Sequence, residues 1–440
     1  MSIFKLFKPA PYIDEIKGKK EVAKQYKYWR IRTFYAMYVG YAFYYLTRKS
    51  FTFVMPIMIK DLGFSKTQVG ILASILSLSY GASKFASGIM SDRSNPRYFM
   101  AFGLIITGIF NIFFGMSSSL LFFAIFWGLN GWFQGYGWPP CAKLLTHWYS
   151  QSERGRWWSI WNTSHNIGGA LIPLIASGIA MRLGWRMAMF SPGILAILGG
   201  VFLINRLRDT PRSLGLPEIE KFRKDYPSEK KSKNRDEKLS TKEILFKFVL
   251  NNKYIWCLAI SYFFIYIIRT GINDWSILFL VEGNRYSLFK AGTTICWFEV
   301  GGFFGSLVAG WSSDYIFKGK RGPVNVIFAF LTLISIFMFW KMTGRYIIID
   351  FALLFLVGFF IFGPQMLIGI AAAELSHKKA AGTSTGFAGI FAYIGAAVAG
   401  GPLGKIMQVW GWEGFFVALS ICAVVSTLML SMLWSVKSTT

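Results

Sequence analysis

The sequence is poor in the residue types that carry redox, metal and acid chemistry. Its 440 residues include 4 cysteines, 3 histidines and only 21 acidic residues against 47 basic ones. Cys141, Cys257, Cys296 and Cys422 lie in or at the ends of apolar runs, with no CxxC and no paired spacing, so nothing suggests a disulfide framework or a thiolate site. His147, His165 and His377 are too scattered for a metal cluster, and neither a metal nor a cofactor is expected. No GxxxxGK[ST] phosphate loop occurs, so any work the protein does draws on gradients and not on ATP. Without a metal cluster or a nucleophile–base constellation, a membrane enzyme hydrolysing phosphate esters has no support, and the chain is not expected to be an enzyme.

What the sequence has is apolar length. Hydrophobic residues make up 54%, aromatics 18% and charged residues 15%. A soluble domain would carry about 25% charged residues, so the composition is that of a polytopic membrane protein. Apolar runs between charged or Gly/Pro-containing breaks predict helices near 31–58, 66–90, 98–116, 118–147, 156–182 and 187–206. After a polar, lysine-rich stretch from Arg208 to Lys242, six more follow near 252–281, 287–316, 324–342, 347–374, 380–407 and 411–436. The fold class is an all-α membrane protein of twelve transmembrane helices in two six-helix bundles, 31–206 and 252–436. A basic segment 1–30, a basic linker 207–251 and a short tail 437–440 complete the division. The basic amino terminus leads into a full-length span, so no removable signal peptide is read.

The net charge of +26 does not point to nucleic acid, because it is concentrated beside apolar spans. Met1 to Arg32 carries nine Lys/Arg and Arg206 to Lys247 carries thirteen. The positive-inside rule places both segments, and with an even helix count both termini, on the cytoplasmic side of the inner membrane. Some attraction of both to anionic lipid follows.

The chain is organised around Tyr41 to Phe51, where Arg48 and Lys49 interrupt an apolar run bounded by Arg32 and Lys60. Arg48 lies roughly 24 and 18 Å from the two flanks at 1.5 Å rise per residue. A charge that deep costs at least about 2.5 kcal/mol and faces a cavity or a partner. Tyr41, Tyr45 and Arg48 share one helix face. The feature recurs 221 positions later, where Arg269 follows Tyr266 by three at nearly the same depth between Lys253 and Glu282. Gly88 to Asp92 and Gly310 to Asp314 repeat a GxxxD pattern at an offset of 222, with Arg93 and Arg97 after the first and Lys318 and Arg321 after the second. Parallel six-helix repeats with the substrate site at midplane describe the major facilitator architecture. The GxxxD loops, with Asp92, Arg93, Arg97, Asp314, Lys318 and Arg321, resemble that superfamily's loop motif, which implies gating structure and not ligand contact.

Longer motifs narrow the resemblance. TRKSF (47–51), YGASKF (80–85), SDRSNPR (91–97), GWFQGYGWPP (131–140), WNTSHNIGG (161–169) and RDTPRSLGLP (208–217) stand in the first half and linker. INDWS (272–276), FGPQMLIG (362–369) and KKAAGTSTGF (378–387) stand in the second. Together they resemble the organophosphate:inorganic phosphate antiporters, which include the glycerol-3-phosphate and hexose-phosphate transporters. INDWS, FGPQM and Ala371 to Glu374 are most similar to the hexose-phosphate branch, whose members include sensors of glucose 6-phosphate that signal to a histidine kinase.

The resemblance implies phosphate binding at Arg48 and Arg269, and the chemistry agrees, since a guanidinium fork matches phosphate oxygens bidentately. It also implies substrate contact for Lys84 and His165, although an ion pair and a packing role are their plainer readings. Tyr41, Tyr45, Gln134, Trp138, Trp161, Asn162, Tyr266 and Tyr393 are candidates for the sugar or the pocket wall, against plain core packing. The carboxylates Asp274 and Glu299 would repel an anion, so with Lys49 they are read as an ion-pair network between the halves. The function expected is exchange of a sugar phosphate, glucose 6-phosphate foremost, for inorganic phosphate by alternating access. The alternatives are a glucose-6-phosphate receptor signalling to a histidine kinase, and a glycerol-3-phosphate:phosphate antiporter. Partners are the small molecules and the bilayer, and the resemblance implies a monomer.

Overall fold

A computed structural model describes residues 7–225, 244–376 and 380–436, and all its regular elements are helical. His377, the first two lysines of the 378–387 motif, residues 226–243 of the basic linker and the tail 437–440 lie outside the described residues. In chain order the helices are α1 (Lys19–Leu62), α2 (Lys66–Asp92), α3 (Pro96–Met116), α4 (Leu120–Gln134), α5 (Trp138–Trp148), α6 (Gln151–Asn162), α7 (Ser164–Arg206) and the short α8 (Ile219–Arg223). The second half has α9 (Lys253–Glu282), α10 (Leu288–Trp311), α11 (Arg321–Met342), α12 (Ile347–Glu374), α13 (Ala381–Val398) and α14 (Gly401–Ser431).

The stretches Gln151–Arg206 and Gly382–Ser431, of 56 and 50 residues, are far too long for one crossing of a hydrocarbon layer about 30 Å thick. Each holds two. α7 turns at Gly184 (φ 82°) and α14 at Gly411 (φ 63°), in backbone regions that a side chain disfavours. The GYGWPP stretch breaks one predicted helix into α4 and α5, because Gly135 to Gly137 end the first and Pro139 and Pro140 open the second. With α4 and α5 as one crossing, twelve result.

Local chemistry sets several starts. Asn95 accepts from the Arg97 amide at 3.1 Å and Pro96 opens α3. Asn252 accepts from the Tyr254 amide at 3.0 Å before α9, and Ser287 from the Lys290 amide at 3.3 Å before α10. One boundary differs strongly from expectation. α1 begins at Lys19 and not near 31, because Val22 and Tyr26, one turn apart, bury themselves although lysines surround them.

The chain forms two compact units. The first comprises residues 1–51, 79–172 and 183–235, the second 52–78, 173–182 and 236–440. In the first unit, Ser79, Ser83 and Ser87 donate from successive turns of α2 to the carbonyls of Gly128, Trp132 and Gly135, fixing α2 along α4. The start of the basic linker is ordered here too. Leu216 and Ile219 are buried with Val22 and Tyr26, Tyr26 donates to the Pro217 carbonyl, and Arg30 pairs with Glu153 at 2.6 Å. Asp225 accepts from the Ser152 hydroxyl at 2.5 Å and its amide at 2.9 Å, which holds its carboxyl below the ordinary 3.8.

In the second unit α10 and α12 touch through their backbones. A Cβ at Gly301 or Gly305 would overlap the Phe355 or Phe359 carbonyl, and one at Gly358 the Phe298 carbonyl. Residues 52–78, the end of α1 and the first half of α2, pack in this unit as well. Lys66 pairs with Glu282 at 2.7 Å, and Ser74 donates to the Ala397 carbonyl at 2.5 Å while accepting from the Gly401 amide at 2.8 Å.

Candidate functional site

In the first unit the structure gathers Arg48 and an aromatic wall. The Arg48 guanidinium lies 4.6 Å from the Tyr45 ring centre and 4.1 Å from that of Tyr80. Its Nε donates to Gln134 Oε1 at 3.2 Å. From there a run of buried amides continues. Gln134 Nε2 donates to Asn130 Oδ1 at 3.1 Å and to Thr47 Oγ1 at 2.9 Å, Asn130 Nδ2 to Asn111 Oδ1 at 3.3 Å, and Asn111 Nδ2 to the Met189 carbonyl at 2.7 Å. Every donor in the run points away from Arg48. The Tyr45 and Tyr80 rings and the Gln134 amide thus fix the plane and direction of the guanidinium.

Around this centre Tyr41 packs on Trp161 at 4.8 Å and on Tyr45 at 5.8 Å, and Tyr45 on the His165 ring at 5.5 Å. His165 is buried, while Asn162 and Trp138 are half-buried. Lys84 Nζ stands 5.2 Å over Trp138, which meets Trp158, which meets Trp161. Lys49 is half-buried on α1.

In the second unit Arg269 lies 4.7 Å from the Phe362 ring centre and 5.9 Å from that of Tyr266. Tyr266 meets Tyr393 at 5.9 Å and Tyr262 at 4.9 Å, and Tyr262 donates to the Gln365 carbonyl at 2.8 Å. Glu299, buried, accepts from Asn273 Nδ2 at 3.1 Å, and Asp274, also buried, accepts from Thr52 Oγ1 at 3.3 Å.

The loop residues sit apart from both clusters. Arg321 donates to Asp314 at 2.5 Å, to Ser313 Oγ at 2.9 Å and to both Glu374 oxygens at 2.9 and 3.1 Å. Lys318 is exposed in left-handed backbone (φ 52°). Asp92 and Arg93 are exposed. Arg97 donates to the Ile204 carbonyl at 2.5 Å, where Arg32 and Arg208 also reach the last carbonyls of α7, a cationic cap on a helix carboxyl end.

Sequence reasoning missed Thr47, Tyr80, Asn111, Asn130, Phe362 and Gln365. For Tyr80 the signal was present, four residues before Lys84. For the amides it was their isolation inside apolar runs.

Residues 37–400 match the family model described as Major Facilitator Superfamily. The chain is 59% identical over 98% of its length to a probable hexose phosphate transport protein of Chlamydia trachomatis serovar D, covering 96% of it. It is 50% identical to the membrane sensor protein UhpC of Escherichia coli, with 94% of each chain covered. Among solved structures it is similar in fold to a bacterial homologue of the human lysosomal transporter Spinster, with a TM-score of 0.72 and 16% identity over 92% of this chain and 96% of that one. With twelve crossings and a match of this extent, the chain belongs to the Major Facilitator Superfamily and, within it, to the branch of the organophosphate:inorganic phosphate antiporters.

Proposed function

We propose that the chain carries a sugar phosphate, glucose 6-phosphate foremost, across the inner membrane in exchange for inorganic phosphate, with both termini cytoplasmic and the monomer as the working unit. Residues 31–206 and 252–436 are the two repeats in this reading. The observation that carries it is the setting of Arg48, a planar cation held between Tyr45 and Tyr80 and steered by Gln134 deep in a membrane helix. The name of the chlamydial relative supports the sugar phosphate.

Arg48 and Arg269 together take the phosphate, with Lys84 and His165 as further donors. The sugar rests on Tyr41, Tyr45, Trp138, Trp161, Asn162, Tyr266 and Tyr393. A bound dianion offsets the like charges of the arginines, so the protein changes state readily when loaded and poorly when empty. Exchange follows, because the return step needs another anion. Lys49, Asp274 and Glu299 re-pair during that change, and the two GxxxD loops hold neighbouring helices while it happens.

The test uses purified protein in liposomes loaded with inorganic phosphate or left without it. Rapid entry of labelled glucose 6-phosphate into loaded vesicles only, lost in Arg48→Lys, is expected. Entry as fast into phosphate-free vesicles would overturn the exchange mechanism. Half the residues are shared with a sensor protein, which favours a receptor as second reading, with a histidine kinase as partner. Binding without appreciable entry would establish it. Acceptance of glycerol 3-phosphate with refusal of glucose 6-phosphate would keep the fold and change the substrate.

A further inference from the structure

Two side-chain amide oxygens on the helices that carry Arg269 and its ring contact Phe362 are buried and have no hydrogen-bond partner among the described residues, Asn273 Oδ1 on α9 and Gln365 Oε1 on α12. Leaving such an acceptor unbonded in a low-dielectric interior costs about 1–3 kcal/mol, so each is a position prepared for a donor. Asn273 is 5% exposed, and its orientation is determined by its neighbour. Its Nδ2 donates to the Glu299 carboxylate at 3.1 Å, which only the amide's nitrogen side can do, so the oxygen side points elsewhere.

Their helices relate both oxygens to the arginine. Tyr266, Arg269 and Asn273 fall at i, i+3 and i+7 along α9, one face of the helix. Gln365 is one turn from Phe362, the ring 4.7 Å from the Arg269 guanidinium, and its backbone carbonyl receives the Tyr262 hydroxyl. Phe362 is itself seated over Gly302, where a Cβ would strike its ring. Arg269, a strong donor group, thus has one waiting acceptor a turn further along its own helix and another a turn along α12 from the ring it meets.

That combination is poorly matched by inorganic phosphate alone, which is chiefly an acceptor and at neutral pH brings only one or two P–OH donors. It suits a phosphate ester whose other end carries hydroxyls. We infer that Asn273 and Gln365 are specificity-determining residues that accept hydrogen bonds from the hydroxyls of a polyhydroxylated phosphate ester held at Arg269. Glu299 acts as a positioning residue, holding the Asn273 amide so that its oxygen is presented. The inference rests on the proposed binding of phosphate at Arg269, and it explains how one site can take two anions of different size and still rank them.

The experiment measures displacement of labelled inorganic phosphate from the purified full chain in lipid nanodiscs. Competitors are unlabelled phosphate, glucose 6-phosphate and its singly deoxygenated analogues. Asn273→Leu, close in volume but without the acceptor, is expected to weaken glucose 6-phosphate about tenfold relative to phosphate, the loss of one hydrogen bond. It should also abolish the penalty that wild type shows for one particular deoxy analogue. A structural defect weakens all competitors together and leaves the analogue ranking intact, and that outcome overturns the inference, as does an unchanged ratio. Gln365→Leu provides the same reading at the second oxygen if the first variant does not accumulate. Wild type that binds phosphate but is not competed by glucose 6-phosphate would remove the proposed substrate and this inference with it. Competition in wild type with no change in either variant removes the inference alone.

Discussion

Arg48 and Arg269 occupy equivalent places in the repeat, yet their settings differ in kind. Arg48 is tethered through its Nε to Gln134 and, through two more buried amides, Asn130 and Asn111, to the backbone of α7. Arg269 is flanked by Phe362 and Tyr266, and the amides near it present oxygens. The loops differ in the opposite sense. In the second repeat Arg321 draws Asp314, Ser313 and Glu374 together, whereas Asp92 and Arg93 in the first are exposed. Duplication has kept the charged positions and let their supports diverge. A site for an asymmetric molecule with a phosphate at one end and hydroxyls along the rest gains from that divergence.

The largest effects are expected at the arginines. Arg48→Lys and Arg269→Lys each remove the planar fork and should reduce phosphate-loaded uptake about a hundredfold or more. A tenfold difference between the two would show that one arginine dominates. Next comes the tether. Gln134→Leu releases Arg48 Nε and should raise the apparent KM for phosphate about tenfold, while Phe362→Leu, which removes only a ring contact, should raise it about threefold. Equal effects would mean that the amide run contributes packing alone.

The loops give a smaller effect on stability. Arg321→Met strands three acceptors of a side chain only 17% exposed and should lower stability by about 2 kcal/mol in thermal unfolding followed by fluorescence. Arg93→Met should stay within about 0.5 kcal/mol. The smallest effect concerns Asp225, which only the first unit uses as an anchor. Its carboxyl is held below 3.8 by the Ser152 hydroxyl and amide, so its contribution is complete above that value and fades as pH falls through the lower folded value. A carbon NMR titration should place its midpoint below 3.8, and Ser152→Ala should move it upward.

The class and the helix count were legible from apolar length, and the position of two cations inside apolar runs was legible because a charge there leaves a mark that few other constraints produce. Asn111, Asn130 and Gln134 left a weaker mark. Neutral amides fit many helices, and their meaning comes from partners on α1, α3, α4 and α7, which spacing along one helix cannot show. The start of α1 at Lys19 was hidden because its buried face consists of Val22 and Tyr26 among exposed lysines, and the residues that cover them, Leu216 and Ile219, lie nearly two hundred positions away. The breaks at Gly135 to Gly137 and after Asn162 interrupt runs whose hydropathy is continuous, and hydropathy alone does not register a kink.

The seam between α10 and α12 has a consequence for leakage. Gly301, Gly305 and Gly358 bring carbonyls of one helix against Cα atoms of the other, and this contact leaves no width for a file of water molecules. Protons travel along such files. A membrane that holds a proton gradient loses it through any wet crevice in a protein that crosses it. By using glycine where a larger side chain would hold the helices apart, the protein closes this part of its wall as insulation.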